Sequence, residues 1–239
     1  MKNVYSRYWL AGIVLLFSGI AHAGITLGGT RVIYPQKLKE ASIMVKNDAD
    51  RDIMIQSWLE PDLKNPGQDV PFALTPSLSR LGGNKQQSLR IFYAGKGLPP
   101  DKESVFWLSV QEIPQKSETD NTLQIAVRQR IKLFYRPTGL SGTPEESVKS
   151  LKWKLVSEAG KQWLLVSNES VYYASFGSVF LEYKGGRHPA KAEMVAPGTT
   201  AKFLVEGAGA VPANAQAVIE FNAINDYGVP VKHLVNISN

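Results

Sequence analysis

The sequence of 239 residues predicts an all-β protein built from two β-sandwich domains. Short runs rich in β-branched and aromatic residues recur along the chain, and Gly, Pro, Asn or Asp residues separate them. No apolar stripe with a helical period is long enough to predict a large helix. Residues 138–144 have a loop composition and interrupt the series, so we expect the domains to meet between residues 136 and 144.

Each domain is expected to contain its own series of strands. In the first domain the predicted strands are 41–46, 52–59, 89–93, 104–110 and 121–135. In the second domain they are 152–156, 162–166, 176–183, 202–205, 217–223 and 231–237. Residues 158–161 predict a hairpin turn, and residues 145–149 predict one short turn of helix. The domain limits that follow are 24–138 and 139–239.

Composition excludes several kinds of site. The chain has no cysteine, which excludes disulfides, thiolate nucleophiles, iron–sulfur clusters and cysteine zinc sites. Of its three histidines, His22 lies near the amino terminus, His188 is expected in a turn, and His233 is expected on a strand. The formal charge of +6 is mild and no basic run resembles a nucleic-acid patch. We therefore expect no enzyme, metal, cofactor or nucleic-acid partner.

Residues 1–23 have the pattern of a signal peptide. Lys2 and Arg7 precede the apolar run 9–17, and Ala21-His22-Ala23 supplies small residues at the cleavage positions. A membrane anchor is the alternative, but the apolar run is shorter than the roughly 20 residues that a spanning helix needs. The sequence predicts export with cleavage near Ala23 and no stable membrane insertion.

The predicted strand 121–135 is long for a globular protein. Its residues Leu123, Ile125 and Val127, called the donor segment below, share one face because strand side chains alternate. One interpretation is that they face the core. The other is that they form an exposed edge, which is a self-association hazard but also a known means of binding a partner strand.

Five short blocks resemble motifs of one family, in the same order along the chain. They are 30–34 (TRVIY), 101–106 (DKESVF), 112–114 (EIP), 131–137 (IKLFYRP) and 224–228 (INDYG). Together they resemble the periplasmic pilus chaperones of the chaperone–usher system, the PapD-like family. The resemblance implies two immunoglobulin-like β-sandwich domains in an L or boomerang arrangement with an interdomain cleft.

The resemblance also implies a function. Such chaperones bind, fold and cap pilus or fimbrial subunits by donor-strand complementation in the periplasm, and deliver them to an outer-membrane usher. In that case the donor segment is exposed and inserts into the subunit, and the free protein can self-associate through the same edge. The short loop at 115–120 resembles the short-loop class of the family.

Two sets of site residues follow from the resemblance. Arg31 and Lys132 match the positions that bind the terminal carboxylate of the subunit in the cleft. Lys132 has the opposite strand parity to the donor segment, which fits a cleft separate from the subunit groove, or else requires a bulge. Glu103, Arg136 and Asp226 match an interdomain salt-bridge set that fixes the angle between domains.

A secreted immunoglobulin-like module that binds a ligand or carbohydrate, or a fibre component, is the alternative function. This interpretation gives no joint role to Arg31, Lys132 and the long strand. A fibre subunit is also expected to carry an extra segment at its mature amino terminus, whereas residues 24–29 lead directly into the first strand motif.

Overall fold

The computed structural model describes residues 24–114, 125–212 and 215–238. The regular secondary structure of these residues consists of β-strands and one short helix, as the sequence predicts. They contain no helix with the length and apolar character needed to cross a membrane. The described strands form two units, each with its own hydrophobic core.

The first unit is a sandwich of two sheets. Its strands are β1 (Ile25–Leu27), β2 (Arg31–Pro35), β3 (Ala41–Asn47), β4 (Ile53–Pro61), β5 (Phe72–Thr75), β6 (Leu78–Leu81), β7 (Gln86–Tyr93), β8 (Ser104–Ile113) and β9 (Arg128–Arg136). One sheet has the order β1-β3-β7-β5 and the other β2-β9-β8-β4-β6. Alternate residues point between the sheets, which produces the strict buried–exposed alternation of β3.

Strand β9 has different neighbours along its two edges. Antiparallel β8 covers one edge from Arg128 to Tyr135. Parallel β2 covers the other edge only from Lys132 onward, where Arg31 is the register partner of Lys132. The edge of β9 before Lys132 therefore has no strand partner among the described residues on the side away from β8.

The regular strand is shorter than the prediction of 121–135. Residues 121–124 lie outside the described residues, and β9 begins at Arg128. Among the described residues, one backbone hydrogen bond, from the N–H of Glu112 to the carbonyl of Val127 (2.9 Å), continues the ladder to β8 beyond that point. A strand needs a partner ladder, and β8 itself ends at Ile113.

The second unit is one sheet folded back on itself. Its strands are β10 (Lys152–Glu158), β11 (Lys161–Asn168), β12 (Phe176–Tyr183), β13 (Gly186–Ala190), β14 (Thr199–Val205), β15 (Gln216–Ile224) and β16 (Pro230–Ser238). Their order is β10-β11-β14-β13-β12-β15-β16, and a single residue pair joins β13 to β14. The two end strands therefore approach each other around the core.

Two local predictions have different outcomes. The short helix α1 (Pro144–Lys149) is present, with Thr143 as its N-cap and proline in its first turn. The turn predicted around His188 is wrong, because His188 lies on β13 opposite Leu181. The reversal occurs earlier, at Lys184 and Gly185, which both have positive φ angles.

Candidate functional site

Arg31 and Lys132 lie side by side on the outer face of the first unit. They are register partners in the parallel β2–β9 pair. Their neighbours Val32 and Leu133 are in the core, so alternation places both cations on the face opposite the core. This face lies against the second unit, because Arg31 Nη1 donates a hydrogen bond to the carbonyl of Ile224 (3.1 Å).

Arg31 is partly buried and incompletely hydrogen-bonded. Its guanidinium lies over the ring of Phe134, 5.6 Å from the centroid, and its Nε is buried without a hydrogen-bond partner among the residues that the structure describes. Burial lowers the pKa of Arg31, although Asp226 and Glu103 act in the opposite direction. A buried donor without a partner is unfavourable, so an incoming acceptor would be stabilised here.

Lys132 is desolvated in the same region. Its Nζ lies 5.6 Å from the ring centroid of Trp107. Burial lowers the pKa of Lys132, and repulsion from Arg31 lowers it further, against the attraction of Asp62. Within the described part of the chain, neither Arg31 nor Lys132 forms an ion pair. Two adjacent, partly dehydrated cations favour binding of an anion such as a carboxylate.

Glu103, Arg136 and Asp226 are in direct contact and join the two units; we call them the interdomain ion-pair cluster. Arg136 Nε donates to Glu103 Oε1 (2.7 Å), while Arg136 Nη1 and Nη2 donate to the two oxygens of Asp226 (2.6 and 2.8 Å). The other Glu103 oxygen accepts from the N–H of Tyr173 (2.9 Å). The cluster therefore ties β9 to the second unit through hydrogen bonds from all three guanidinium nitrogens of Arg136.

The charges of this cluster support each other. Burial by itself would lower the pKa of Arg136, but its hydrogen bonds and its attraction to Asp226 and Glu103 raise that pKa above the ordinary arginine value. Burial raises the pKa of Glu103 even though Arg136 attracts its ionised form. Arg136 is consequently a permanent cation that holds two carboxylates from different parts of the chain.

The donor segment is only partly described. Leu123 lies outside the described residues. Ile125 is 70% exposed and Val127 is 41% exposed, and both precede the first residue of β9. They line a recess of about 500 Å³ whose other residues are Gly24, 49–51 and Glu112; we call it the amino-terminal recess. Ile125 and Val127 therefore do not face the core; their side chains are exposed at the edge.

Sequence reasoning missed the aromatic support of the even-numbered face of β9. Arg128 lies over Trp58 (4.8 Å to the centroid) and Arg130 lies over Trp107 (4.3 Å), beside Lys132. Glu60 accepts from Arg128 and from Ser109, each at 2.6 Å. The basic residues at every second position were the available signal, since they must share one face.

The described residues contain no group of three or more His, Cys, Asp or Glu side chains arranged to hold a metal ion. A cavity of about 440 Å³ lies between the units, lined among others by Arg31, Phe134 and Tyr227. Its wall mixes cationic, acidic and aromatic side chains.

Comparisons with known proteins give consistent results over both units. Residues 24–141 match the family described as "Pili and flagellar-assembly chaperone, PapD N-terminal domain". Residues 146–234 match "Pili assembly chaperone PapD, C-terminal domain". The probable fimbrial chaperone YadV of Escherichia coli K12 is 40% identical over 223 residues, which is 90% of each chain.

Solved structures agree with the sequence comparisons. The crystal structure of the YadV chaperone superimposes with a TM-score of 0.78 at 37% identity, covering 90% of this chain and all of the other. The SafB chaperone of Salmonella enterica, solved in complex with the SafA pilin, gives a TM-score of 0.74 at 28% identity, covering 90% and 96%.

Proposed function

Because the chain belongs to the PapD-like family of pilus assembly chaperones, we propose that it captures pilus subunits by donor-strand complementation and anchors their terminal carboxylate at Arg31 and Lys132. The matches to this family confirm three predictions from the sequence: the family itself, the immunoglobulin-like two-domain fold and the role in pilus assembly. Pilus chaperones are not enzymes. The observation that supports the anchor best is the adjacent, desolvated position of the two cations, neither of which forms an ion pair with another described residue.

The open edge of β9 supports the donor-strand part of the proposal. A subunit that lacks a strand has unpaired backbone groups and exposed core residues, and both are unfavourable in water. The edge before Lys132 offers backbone groups, and the exposed side chains of the donor segment offer apolar surface. Burying such a side chain contributes about 1.5–3 kcal/mol before ordering costs.

The anchor explains how register is set. A slip of one residue would turn the apolar side chains to the wrong face. A carboxylate held between Arg31 and Lys132 fixes the end of the subunit strand at the point where β2 begins to cover β9. The opposite parity of Lys132 and the donor segment is compatible with this, since the carboxylate and the apolar side chains then occupy different faces.

The remaining parts of the proposal concern organisation and location. The first domain, 24–138, carries the donor segment, and the second, 139–239, completes the cleft. The interdomain ion-pair cluster fixes the angle between the two domains. Residues 1–23 direct export to the periplasm and are cleaved after Ala23. The chaperone is of the short-loop class, passes subunits to an outer-membrane usher and, when free, can self-associate through the β9 edge.

Co-purification with a cognate subunit tests the proposal. Arg31→Ala and Lys132→Ala are expected to leave the fold intact and to abolish stable complexes. Arg90→Ala is the matched control, because Arg90 is an exposed arginine that pairs with Glu40 on the opposite sheet. Wild-type yields from both cleft variants would contradict the anchor role of Arg31 and Lys132.

A further inference from the structure

Glu112 occupies a core-facing position of β8 although it carries a charge. Phe106, Leu108 and Val110 share its face by strand alternation, and Glu112 itself is only 5% exposed. A buried carboxylate is strongly unfavourable unless a cation or several hydrogen-bond donors compensate it. The position therefore calls for a specific partner.

The other buried glutamates of the described chain have such partners. Glu103 is paired with Arg136, and Glu220 is paired with both Arg187 and Lys232. In the described part of the chain, Glu112 forms no ion pair with a lysine or arginine. Arg51 lines the same amino-terminal recess but is not paired with it.

Gly24 lies directly against this carboxylate. A Cβ atom added at Gly24 would overlap the Glu112 carboxyl group, with 2.7 Å to its Cδ. The N–H of Asp48 donates to the Gly24 carbonyl (3.0 Å), which holds the residue at the start of β1. Because N and Cβ are bonded to the same Cα and lie about 2.5 Å apart, the Gly24 nitrogen is no more than roughly 4.3 Å from Oε2 of Glu112.

Cleavage after Ala23 would change the charge of that nitrogen. Hydrolysis breaks the Ala23–Gly24 amide bond. The hydroxyl of water joins the Ala23 carbonyl carbon, and its proton joins the Gly24 nitrogen. The resulting primary amine takes one more proton near neutral pH. We propose that the α-ammonium group of Gly24, formed by a signal peptidase, is the ionic partner of Glu112; this rests on the proposed export and cleavage.

The pair would link maturation of the chain to its donor segment. The backbone N–H of Glu112 donates to the carbonyl of Val127, so the first residue of the mature chain and the donor segment meet at Glu112. In the uncleaved precursor the same nitrogen is a neutral amide, and the buried carboxylate lacks its cation. The precursor fold is therefore less stable than the mature fold.

The test is a double-mutant cycle on the chain with and without one extra residue. One form begins at Gly24 and the other retains Ala23, which moves the ammonium group outward and leaves a neutral amide at Gly24. Retaining Ala23 is expected to lower Tm by about 3–6 °C in the wild type. Glu112→Gln is expected to abolish that difference. Asp50→Asn, which neutralises another carboxylate of the amino-terminal recess, is expected to preserve it.

Equal Tm values for the two forms, or a difference that survives Glu112→Gln, would overturn the proposal. So would an exported protein whose first residue by amino-terminal sequencing is not Gly24. If Glu112→Gln does not fold, Nα-acetylation of the mature chain removes the charge without a substitution, and an unchanged Tm again overturns the pair. Co-purification of the mature chain with a subunit is scored separately, so failure of the pair is distinguishable from failure of the proposed function.

Discussion

Replacing Asp226 by asparagine tests whether the interdomain ion-pair cluster fixes the relation between the two units. Asparagine keeps the shape of Asp226, but its NH₂ group would face the Arg136 guanidinium as a second donor. The change removes the charge from two hydrogen bonds of 2.6 and 2.8 Å. Glu103 remains paired with Arg136, so Arg136 keeps one carboxylate.

The magnitude follows from burial and geometry. A hydrogen bond to a charged group contributes about 1.5–3 kcal/mol, and breaking a buried ion pair costs about 3–5 kcal/mol. The side chain of Asp226 is 36% exposed, so solvent screening reduces the effect. We expect a loss of about 2–3 kcal/mol in the free energy of unfolding, together with a wider range of interdomain angles.

The control is a second ion pair between the units. Lys64 and Glu193 are 3.0 Å apart, but their side chains are 61% and 54% exposed. Glu193→Gln is therefore expected to cost no more than about 1 kcal/mol. Urea denaturation measures the stability of each variant, and residual dipolar couplings measure the domain orientation. The reasoning is wrong if Asp226→Asn costs no more than Glu193→Gln and leaves the couplings unchanged.

Three further predictions concern the cleft and the donor segment. Ile125→Asp is expected to leave folding unchanged, because Ile125 is 70% exposed, and to accelerate subunit dissociation by at least about tenfold. The control is Leu78→Asp, at an exposed aliphatic side chain outside the donor segment, and equal dissociation rates for the two variants would contradict the donor role. Subunit affinity is expected to fall as pH rises. Burial lowers the pKa of Lys132 in the free protein and a bound carboxylate raises it, so the contribution of Lys132 to affinity is complete below the free pKa and is lost as pH rises from there through the higher pKa of the complex. Lys132→Arg should flatten that profile, and a flat wild-type profile would refute the linkage. Trp107→Ala is expected to weaken subunit binding more than its loss of stability explains, because Trp107 supports both Arg130 and Lys132. Subunit dissociation rates and urea denaturation give the two measurements, and an unchanged dissociation rate would contradict the prediction.

Local sequence patterns predicted where strands lie better than which strands pair and where each one ends. The strand over residues 176–183 coincides with β12, because alternation and flanking turn residues define it locally. Among the described residues the strand predicted over 121–135 begins only at Arg128, because alternation indicates which side chains share a face but not where a neighbouring strand ends. The two glycines Gly185 and Gly186 predict a turn that reaches His188. In the structure the reversal ends at Gly185, and Gly186 already pairs with Tyr183 on β12.

The site depended on the family resemblance more than on pattern. Arg136 is 33 positions from Glu103 and 90 positions from Asp226, so no local period connects them. The support of Lys132 by Trp107 depends on the register of β8 and β9, which the sequence does not state. The buried position of Glu112 was visible as parity with Phe106, Leu108 and Val110, but its proximity to Gly24 needed coordinates.

The parallel pairing of β2 with β9 has a consequence for engineering. Since β2 permanently occupies the edge of β9 from Lys132 to Arg136, a visiting chain can extend only up to that limit. Inserting one residue between Arg128 and Lys132 would change the span from the limit to the apolar side chains, while an insertion in the hairpin at Ala159 and Gly160 would leave that span intact. The part of β9 that β2 covers therefore sets a fixed distance between Lys132 and the donor segment. Chaperones in which this distance is altered should bind subunits whose terminal strand is altered in length to match.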